Sequence, residues 1–297
     1  MPIEQKSIPT ISEGLFNSLL KLREGLFKIL KESQIIDRGF NRPGDDFVVI
    51  GPQFDWAPLQ GHTLVLQRTL QKEWARLKEL LEFLSLDMPE SVKDIIGDAI
   101  STIDSFLKQE ELLWSDSKSQ LEEEAAKAFI TIISGLNNFS SSPAKLIILV
   151  PDTNALLTQP ELREYYIVEH KVELVLVPAV ISELDKMKIH HNENVRNKAK
   201  KIDRAIKELR RRNNILDGTT VVKDKIVLKA LAVEPRMAST LEWLDPKNLD
   251  DRILASTLEI MRHNIGTPIA IVTRDLNLQT KASLARITYV EPPKSSN

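Results

Sequence analysis

The sequence predicts a mainly α-helical domain followed by an α/β domain with a mostly parallel central sheet. Apolar residues recur at spacings of three and four through much of the first 136 residues, as in amphipathic helices. From residue 145 onward, short runs rich in Val and Ile alternate with helix-like segments, as in βα units. Between them lies NNFSSSPAK (137–145), a polar stretch that contains a proline. We therefore place residues 1–142 in the first domain and residues 143–297 in the second.

The first domain is predicted to be a bundle of amphipathic helices. The segments with helical periodicity are 15–33, 63–84, 90–107 and 120–136. Between the first two, residues 34–62 carry several Gly and Pro residues around the short apolar run FVVI. We predict a long ordered loop for this stretch.

Short apolar runs in the second domain are predicted to be strands. They are 145–150, 172–177, 225–233, 269–272 and 286–290. Because helix-like segments separate these runs, the strands are expected to form a mostly parallel sheet that is buried on both faces.

Composition indicates a globular protein and excludes several chemistries. With 297 residues and 42% hydrophobic content, the chain has enough apolar material for two cores. The absence of cysteine excludes disulfides, thiol nucleophiles and cysteine-based metal sites. No P-loop, dinucleotide glycine fingerprint or Gly-flanked serine occurs, which argues against NTPases, common dehydrogenases and serine hydrolases.

The N-terminus lacks a secretory signal pattern and no apolar run is long enough to span a bilayer, so we expect a cytoplasmic protein.

Charge is distributed unequally between the two predicted domains, although the whole chain has a net charge of only −2. Residues 1–142 hold 15 basic and 22 acidic residues, a balance of −7, and the remainder holds 25 and 20, a balance of +5. Within the second domain, residues 184–229 carry 14 basic and 6 acidic residues. This local positive charge favours a polyanionic partner.

Acidic residues stand where strand-like runs give way to helix-like patterns in the second domain. They are Asp152, Glu183, the pair Asp250 and Asp251, and Asp275. In a parallel α/β sheet the carboxyl ends of the strands meet at one edge, so carboxylates from distant segments can converge there. Converging carboxylates repel one another, and a divalent cation relieves that repulsion.

Each acid taken alone also has a structural explanation, because Asp favours helix N-caps and acidic side chains in a first turn meet the positive end of the helix dipole. The joint occurrence argues for more than capping, since Ser or Thr would cap as well. A carboxylate cluster with no His or Cys partner selects Mg²⁺ or Mn²⁺ rather than zinc. One or two such ions can activate a water and stabilise the leaving oxygen of a phosphodiester.

Four segments of the second domain, VPDTNALL, VPAVISELDKMK, LDDRILAS and VTRDLNLQTKA, resemble the signature segments of PIN domains, which are small metal-dependent ribonucleases. They occur in the family order, and the resemblance covers about residues 145–291. It implies a three-layer α/β fold around a parallel sheet, with the acids gathered at one edge and one or two Mg²⁺ or Mn²⁺ ions held between them. The helical domain has no counterpart in this resemblance.

The resemblance also implies roles for individual residues. Asp251 matches the third acid of the family pattern better than Asp250, which is kept as a further ligand of metal or water. Asn154 is expected to orient Asp152, and Thr273 to bind metal water or phosphate. The expected catalytic residues are Asp152, Glu183, Asp251 and Asp275, and the expected metal ligands are these four and Asp250.

A basic helix is predicted between the second and third acids, within residues 186–214. Its basic side chains are interpreted as a track for RNA phosphates that leads to the acids, and the alternative is an ordinary solvated helix face. The candidate RNA-binding residues are Lys198, Lys201, Arg204, Arg210, Arg211 and Arg212.

The leading functional hypothesis is a metal-dependent endoribonuclease acting on single-stranded or structured RNA. The alternatives are a non-catalytic PIN module that binds RNA or protein, and a PIN toxin of a toxin–antitoxin pair, and DNA cleavage also remains open. The acidic helical domain is expected to be a platform for substrate, a homodimer contact or a contact for a protein partner.

Overall fold

The computed structural model describes residue 3 and residues 8–39, 53–109, 116–138 and 145–294. The chain divides into two compact units. One unit comprises Leu15–Asn138, and the other contains the remaining residues, including Ile3 and residues 8–14. Among the helices of the described residues, none combines the length and hydrophobicity that a membrane span needs.

The predicted helices are present: α1 (Ile11–Glu32), α2 (Gly61–Ser85), α3 (Glu90–Lys108) and α4 (Lys118–Asn137). Helix α1 begins before the predicted residue 15 because Thr10 and Glu13 form a reciprocal cap. The Thr10 backbone N–H donates to Glu13 Oε2 at 2.8 Å, and the Glu13 N–H donates to Thr10 Oγ1 at 3.1 Å. Helix α3 contacts both α2 and α4, and Trp74 and Phe129 are among the large side chains buried in this unit.

The predicted loop at residues 34–62 is wrong in part. Strand β1 (Ile35–Gly39) pairs with β2 (Gln53–Trp56) in an antiparallel arrangement. Each strand contains only two apolar residues, which is too few for a recognisable alternating pattern. The apolar run FVVI at 47–50 lies outside the described residues.

A six-stranded, mostly parallel sheet forms the centre of the C-terminal unit, as predicted. The strand order is β5-β6-β4-β3-β7-β8, and only the β5–β6 pair is antiparallel. The strands are β3 (Leu146–Pro151), β4 (Lys171–Leu176), β5 (Thr219–Val222), β6 (Ile226–Ala230), β7 (Ile269–Val272) and β8 (Thr288–Val290).

Helices flank this sheet and follow its strands. They are α5 (Thr153–Thr158), α6 (Pro178–Met187), α7 (Glu193–Arg212), α8 (Leu249–His263) and α9 (Leu276–Leu284). Residues 147–150 of β3 and all four residues of β7 are buried, so both faces of the sheet centre are covered. The carboxyl ends of β3, β4 and β7 therefore meet at one edge, and α5, α6 and α9 begin there.

Strand β5 was not predicted. Its sequence, TTVV, is short, and it turns into β6 through three polar residues, 223–225. Asp224 in this turn has a positive φ of 58°, a conformation that Asp tolerates better than most residues. The polar flank and the brevity of the run hide the strand from an apolar pattern.

Tyr165 holds the end of α5. Its side chain is fully buried, and its hydroxyl lies 2.8 Å from the carbonyl oxygen of Ala155 and 3.0 Å from that of Gln159. Burial raises the pKa of Tyr165 above its ordinary value, with a further contribution from the charge of Asp152. The hydroxyl thus stays protonated and remains a donor to the last turn of α5.

We expect Tyr165→Phe to lower the free energy of unfolding by about 1–2 kcal/mol, because a buried hydrogen bond to the α5 carbonyls is lost. Tyr166→Phe is the matched control, since Tyr166 is partly exposed and adjacent in sequence. Urea unfolding of the full chain, followed by fluorescence, measures both. Equal transition midpoints for the two variants would contradict the assigned role of Tyr165.

Candidate active site

Asp152 lies at the centre of the acidic edge, directly after β3. Its carboxylate is buried, with 4% of the residue exposed. One oxygen, Oδ1, accepts from the backbone N–H of Ala155 at 2.5 Å and caps α5. The other, Oδ2, accepts from the hydroxyl of Thr273 at 2.5 Å. Asp152 therefore caps a helix and also faces the end of the neighbouring strand.

Thr273 connects Asp152 with Asp275. It follows β7 directly and is fully buried. Its Oγ1 donates to Asp152 and accepts from the backbone N–H of Asp275 at 2.9 Å. Asp275 in turn caps α9 by accepting from the N–H groups of Asn277 at 2.7 Å and Leu278 at 3.1 Å. The expected first and last acids are thus joined through one hydroxyl.

Asp250 approaches the same edge from the first turn of α8. Asn248 caps this helix by accepting from the backbone N–H groups of Asp250 and Asp251. The Asp250 Oδ2 accepts from the side-chain amide of Asn277 at 3.1 Å, which links α8 to the start of α9. Asn277 was not among the residues singled out in the sequence.

The charges at this edge act on two of these three carboxylates. Burial raises the pKa of Asp152 to about 6, and the negative charges of Asp275 and Asp250 contribute to the rise, while hydrogen bonds from Thr273 and Ala155 oppose it. Burial and the charge of Asp275 also raise the pKa of Asp250. The structure therefore brings together Asp152, Asp250 and Asp275.

Asp251 lies in a different environment from Asp250. It is buried, and its Oδ1 lies 2.6 Å from the ammonium nitrogen of Lys281 on α9. Its Oδ2 accepts from the backbone N–H of Asp245 at 3.1 Å. Both oxygens of Asp251 are thus bound within the protein, and it forms an ion pair with Lys281, although its charge still contributes to the rise in the pKa of Asp250. Lys281 also acts on Asp250, where its positive charge opposes the rise in pKa.

Glu183 lies on α6, where it is partly exposed. Helix α6 contacts both α5 and α8. In the described part of the chain, the Glu183 side chain makes no hydrogen bond or ion pair, so the hydrogen-bond network that joins the other acids does not include it.

An open groove with a volume of about 680 Å³ adjoins Asp275. Helix α5, the first turns of α7 and the residues after β7 form its walls. It is lined by Asn154, Leu157, Thr158, Asn194, Val195, Lys198, Arg274 and Asp275. Asn154, which was expected to orient Asp152, is exposed and lines this groove, whereas Thr273 and the Ala155 amide hold Asp152.

Helix α7 is the predicted basic helix, with nine basic and three acidic residues in its 20 positions. Of the candidate RNA-binding residues, only Lys198 lines the groove. Lys201 pairs with Glu161, and Arg212 pairs with Glu208. Arg204, Arg210 and Arg211 are exposed. At 1.5 Å per residue, the track from Lys198 to Arg212 would extend about 21 Å along the helix.

The acidic edge fits a divalent ion by the chemistry of its donors. Its three carboxylates supply only oxygen, the donor that Mg²⁺ and Mn²⁺ prefer, and their mutual repulsion would decrease around a cation. Among the described residues, however, no three His, Cys, Asp or Glu side chains are grouped closely enough to hold a metal ion as they stand. The fit is therefore one of donor type and charge.

Comparison with known families gives one finding. Residues 149–291 match the family model of the PIN domain, whereas the helical part of the chain matches no family. The matched segment contains all of the expected acids. A comparison with curated proteins found no match to this chain.

We expect stability to fall with rising pH because of Asp152. A folded pKa of about 6 against an ordinary value of 3.8 means that its stabilising contribution is full below about pH 4 and is lost as the pH rises through about 6. The shift corresponds to roughly 3 kcal/mol. Asp152→Asn should therefore stabilise the protein at about pH 8 and change it little at about pH 4.

Urea unfolding in EDTA at both pH values measures this effect. Asp224→Asn is the control, since Asp224 is exposed in the β5–β6 turn. If Asp152→Asn were no more stable than the wild type at about pH 8, the raised pKa would be refuted.

The ion pair between buried Asp251 and partly buried Lys281 should contribute to stability. Lys281→Met should destabilise the protein by about 3 kcal/mol, because it leaves a buried carboxylate without its cation. The double variant Asp251→Asn/Lys281→Met should recover most of this loss, since no unpaired charge remains. A double-mutant cycle measured by urea unfolding tests the pair, and additive effects would argue against the coupling.

Proposed function

The C-terminal half of this chain is a PIN domain, and we propose that it is an endoribonuclease that hydrolyses RNA phosphodiesters with Mg²⁺ or Mn²⁺. PIN domains are generally nucleases, and they typically use divalent metals such as Mg²⁺. The proposal narrows this family-level activity to internal cleavage of RNA. Nothing in the described residues of the helical unit supports the expected dimer or protein partner.

The observation that carries the proposal is the electrostatic coupling of Asp152, Asp250 and Asp275. Carboxylates from three separate segments meet at the edge where the parallel strands end, where burial raises the pKa values of Asp152 and Asp250 and the charge of Asp275 adds to both rises. Neutral residues at these positions would remove the repulsion between the carboxylates and would make the fold more stable, so stability alone does not explain the acids. Such placement is typical of functional sites.

We propose Asp152, Asp250 and Asp275 as the residues that would hold the ion. When bound, a divalent ion supplies a water of lowered pKa and positive charge for the phosphodiester oxygens. Asp250 is proposed in place of Asp251, because both oxygens of Asp251 already have partners within the protein, Lys281 and the backbone N–H of Asp245. Glu183 is kept as an additional acid, on the strength of its position in the family pattern and its partly exposed side chain.

Thr273 is proposed as a positioning residue for the first and last acids. Its hydroxyl donates to Asp152 and accepts from the Asp275 N–H, so both acids have fixed positions. Each carboxylate oxygen of Asp152 still has a lone pair beyond its present hydrogen bond. Metal binding requires ionised carboxylates, so the affinity for Mn²⁺ should increase as the pH rises through about 6.

RNA is proposed as the substrate because the helix beside the groove is strongly basic. Helix α7 carries a net charge of +6, from nine basic and three acidic residues. Its cations would attract the phosphate backbone without reading sequence.

We expect Asp152→Asn, Asp250→Asn and Asp275→Asn each to lower Mn²⁺-dependent cleavage of RNA by about two to three orders of magnitude, the usual cost of losing one group that stabilises a transition state. Each should also reduce the increase in melting temperature that Mn²⁺ produces, because fewer ligands remain. Rates on a labelled oligoribonucleotide and melting curves with and without Mn²⁺ measure the two effects.

The double variant Asp251→Asn/Lys281→Met is the matched control, because it removes a neighbouring carboxylate together with its internal cation. It should retain both cleavage and stabilisation by Mn²⁺. Loss of both properties in a folded double variant would reject Asp250 in favour of Asp251. Cleavage by the wild type that persists in EDTA would falsify the metal-dependent mechanism itself.

A further inference from the structure

The groove beside Asp275 has the features of a binding site for one unpaired nucleotide. It touches the acidic edge directly, because Asp275 belongs to both. Its volume of about 680 Å³ lies within the range that small-molecule sites occupy. A ligand in the groove would therefore lie next to the proposed reaction centre.

Two cations face this groove from different elements. Lys198 comes from α7 and Arg274 from the residues directly after β7. Lys198 is partly exposed and, within the described residues, its side chain makes no hydrogen bond or ion pair. Arg274 pairs with Glu291 at 3.3 Å, but both side chains are about half exposed or more, at 47% and 67%. Such a surface pair is weak, so a phosphate can displace Glu291 from Arg274.

The remaining lining combines apolar and amide groups. Leu157 and Val195 offer apolar surface on the facing helices α5 and α7, while Asn154 and Asn194 offer amide donors and acceptors. Spacings of three and four residues place Asn194, Val195 and Lys198 on one face of α7. An apolar patch flanked by cations suits a nucleobase with its phosphates, and the base must be free of its duplex partner to enter.

We propose that this groove is a subsite that binds one unpaired nucleotide next to the scissile phosphodiester. Lys198 and Arg274 contact its phosphates, and Leu157 and Val195 pack against its base. The inference rests on the proposed nuclease function and deepens it, since it assigns the residues that hold the nucleotide beside the scissile bond. It also assigns a role to Arg274, which lies outside the basic helix α7.

The test is a binding measurement in EDTA, which removes divalent ions and separates binding from metal-dependent cleavage. A short fluorescent oligouridylate is titrated with the full-length protein, and anisotropy is recorded at several salt concentrations. Lys198→Ala/Arg274→Ala should weaken binding about tenfold. The slope of log affinity against log salt should decrease by about 1.4, because two single-strand phosphate contacts are lost.

Lys171→Ala/Lys225→Ala is the matched control, since it removes the same charge at the opposite, amino-terminal edge of the sheet. Lys171 begins β4, Lys225 directly precedes β6, and both are exposed. This variant should bind like the wild type. Equal losses in the two double variants would overturn the subsite and indicate unspecific attraction, and so would the absence of any binding by the wild type.

Substrate variants test the base and the sugar. An abasic strand of equal length and an oligouridylate–oligoadenylate duplex should both bind more weakly than the oligouridylate, and equal binding of either would overturn the proposal. Oligodeoxyuridylate distinguishes the sources of the nucleotide: weaker binding assigns RNA, and equal binding supports a subsite that accepts either sugar. A wild type that binds as described but never cleaves with Mn²⁺ would reject the nuclease function and leave the subsite standing.

Discussion

The hydrogen bond between Thr273 and Asp152 determines the geometry on which the candidate site depends. It joins the carboxyl ends of β3 and β7, which are neighbours in the parallel sheet. Pro151 is paired with Val272, so the residues that follow them, Asp152 and Thr273, come side by side. Because the same hydroxyl accepts from the Asp275 N–H, the first and last acids of the site follow from the register of two strands.

Helix capping and a role in the site are not alternatives for these acids. Asp152 and Asp275 are both N-caps, of α5 and α9, yet each carboxylate retains acceptor capacity beyond its capping bonds. The capping bonds fix the side chains and lower the cost of holding like charges near one another. A residue that is explained by local structure can therefore also carry function, and the two interpretations need not compete.

Much of the architecture could be predicted because the spacing of apolar residues along the sequence indicates which side chains are buried. The α1–α4 segments and the strands β3, β4, β6, β7 and β8 all bury apolar side chains, and their patterns are visible in the sequence. Strands β1, β2 and β5 escaped prediction because they are short and contain few apolar residues. The groove could not be predicted from the sequence either. Its lining residues come from three separate elements, and they come together only when α5 packs against α7.

The choice between Asp250 and Asp251 shows why a motif alone does not define a site. Successive residues of an α-helix point about 100° apart, so two adjacent aspartates do not face the sheet edge equally. Which of the two faces it more directly depends on the rotation of α8, and that rotation is set by tertiary packing.

Asp251 points toward Lys281, a contact that requires α8 and α9 to pack together. It forms an ion pair there and acts on Asp250, whereas Asp250 meets the charge of Asp275 and contributes to the rise in the pKa of Asp152. The adjacent carboxylates thus separate into one that stabilises the packing of two helices and one that adds to the negative charge at the site.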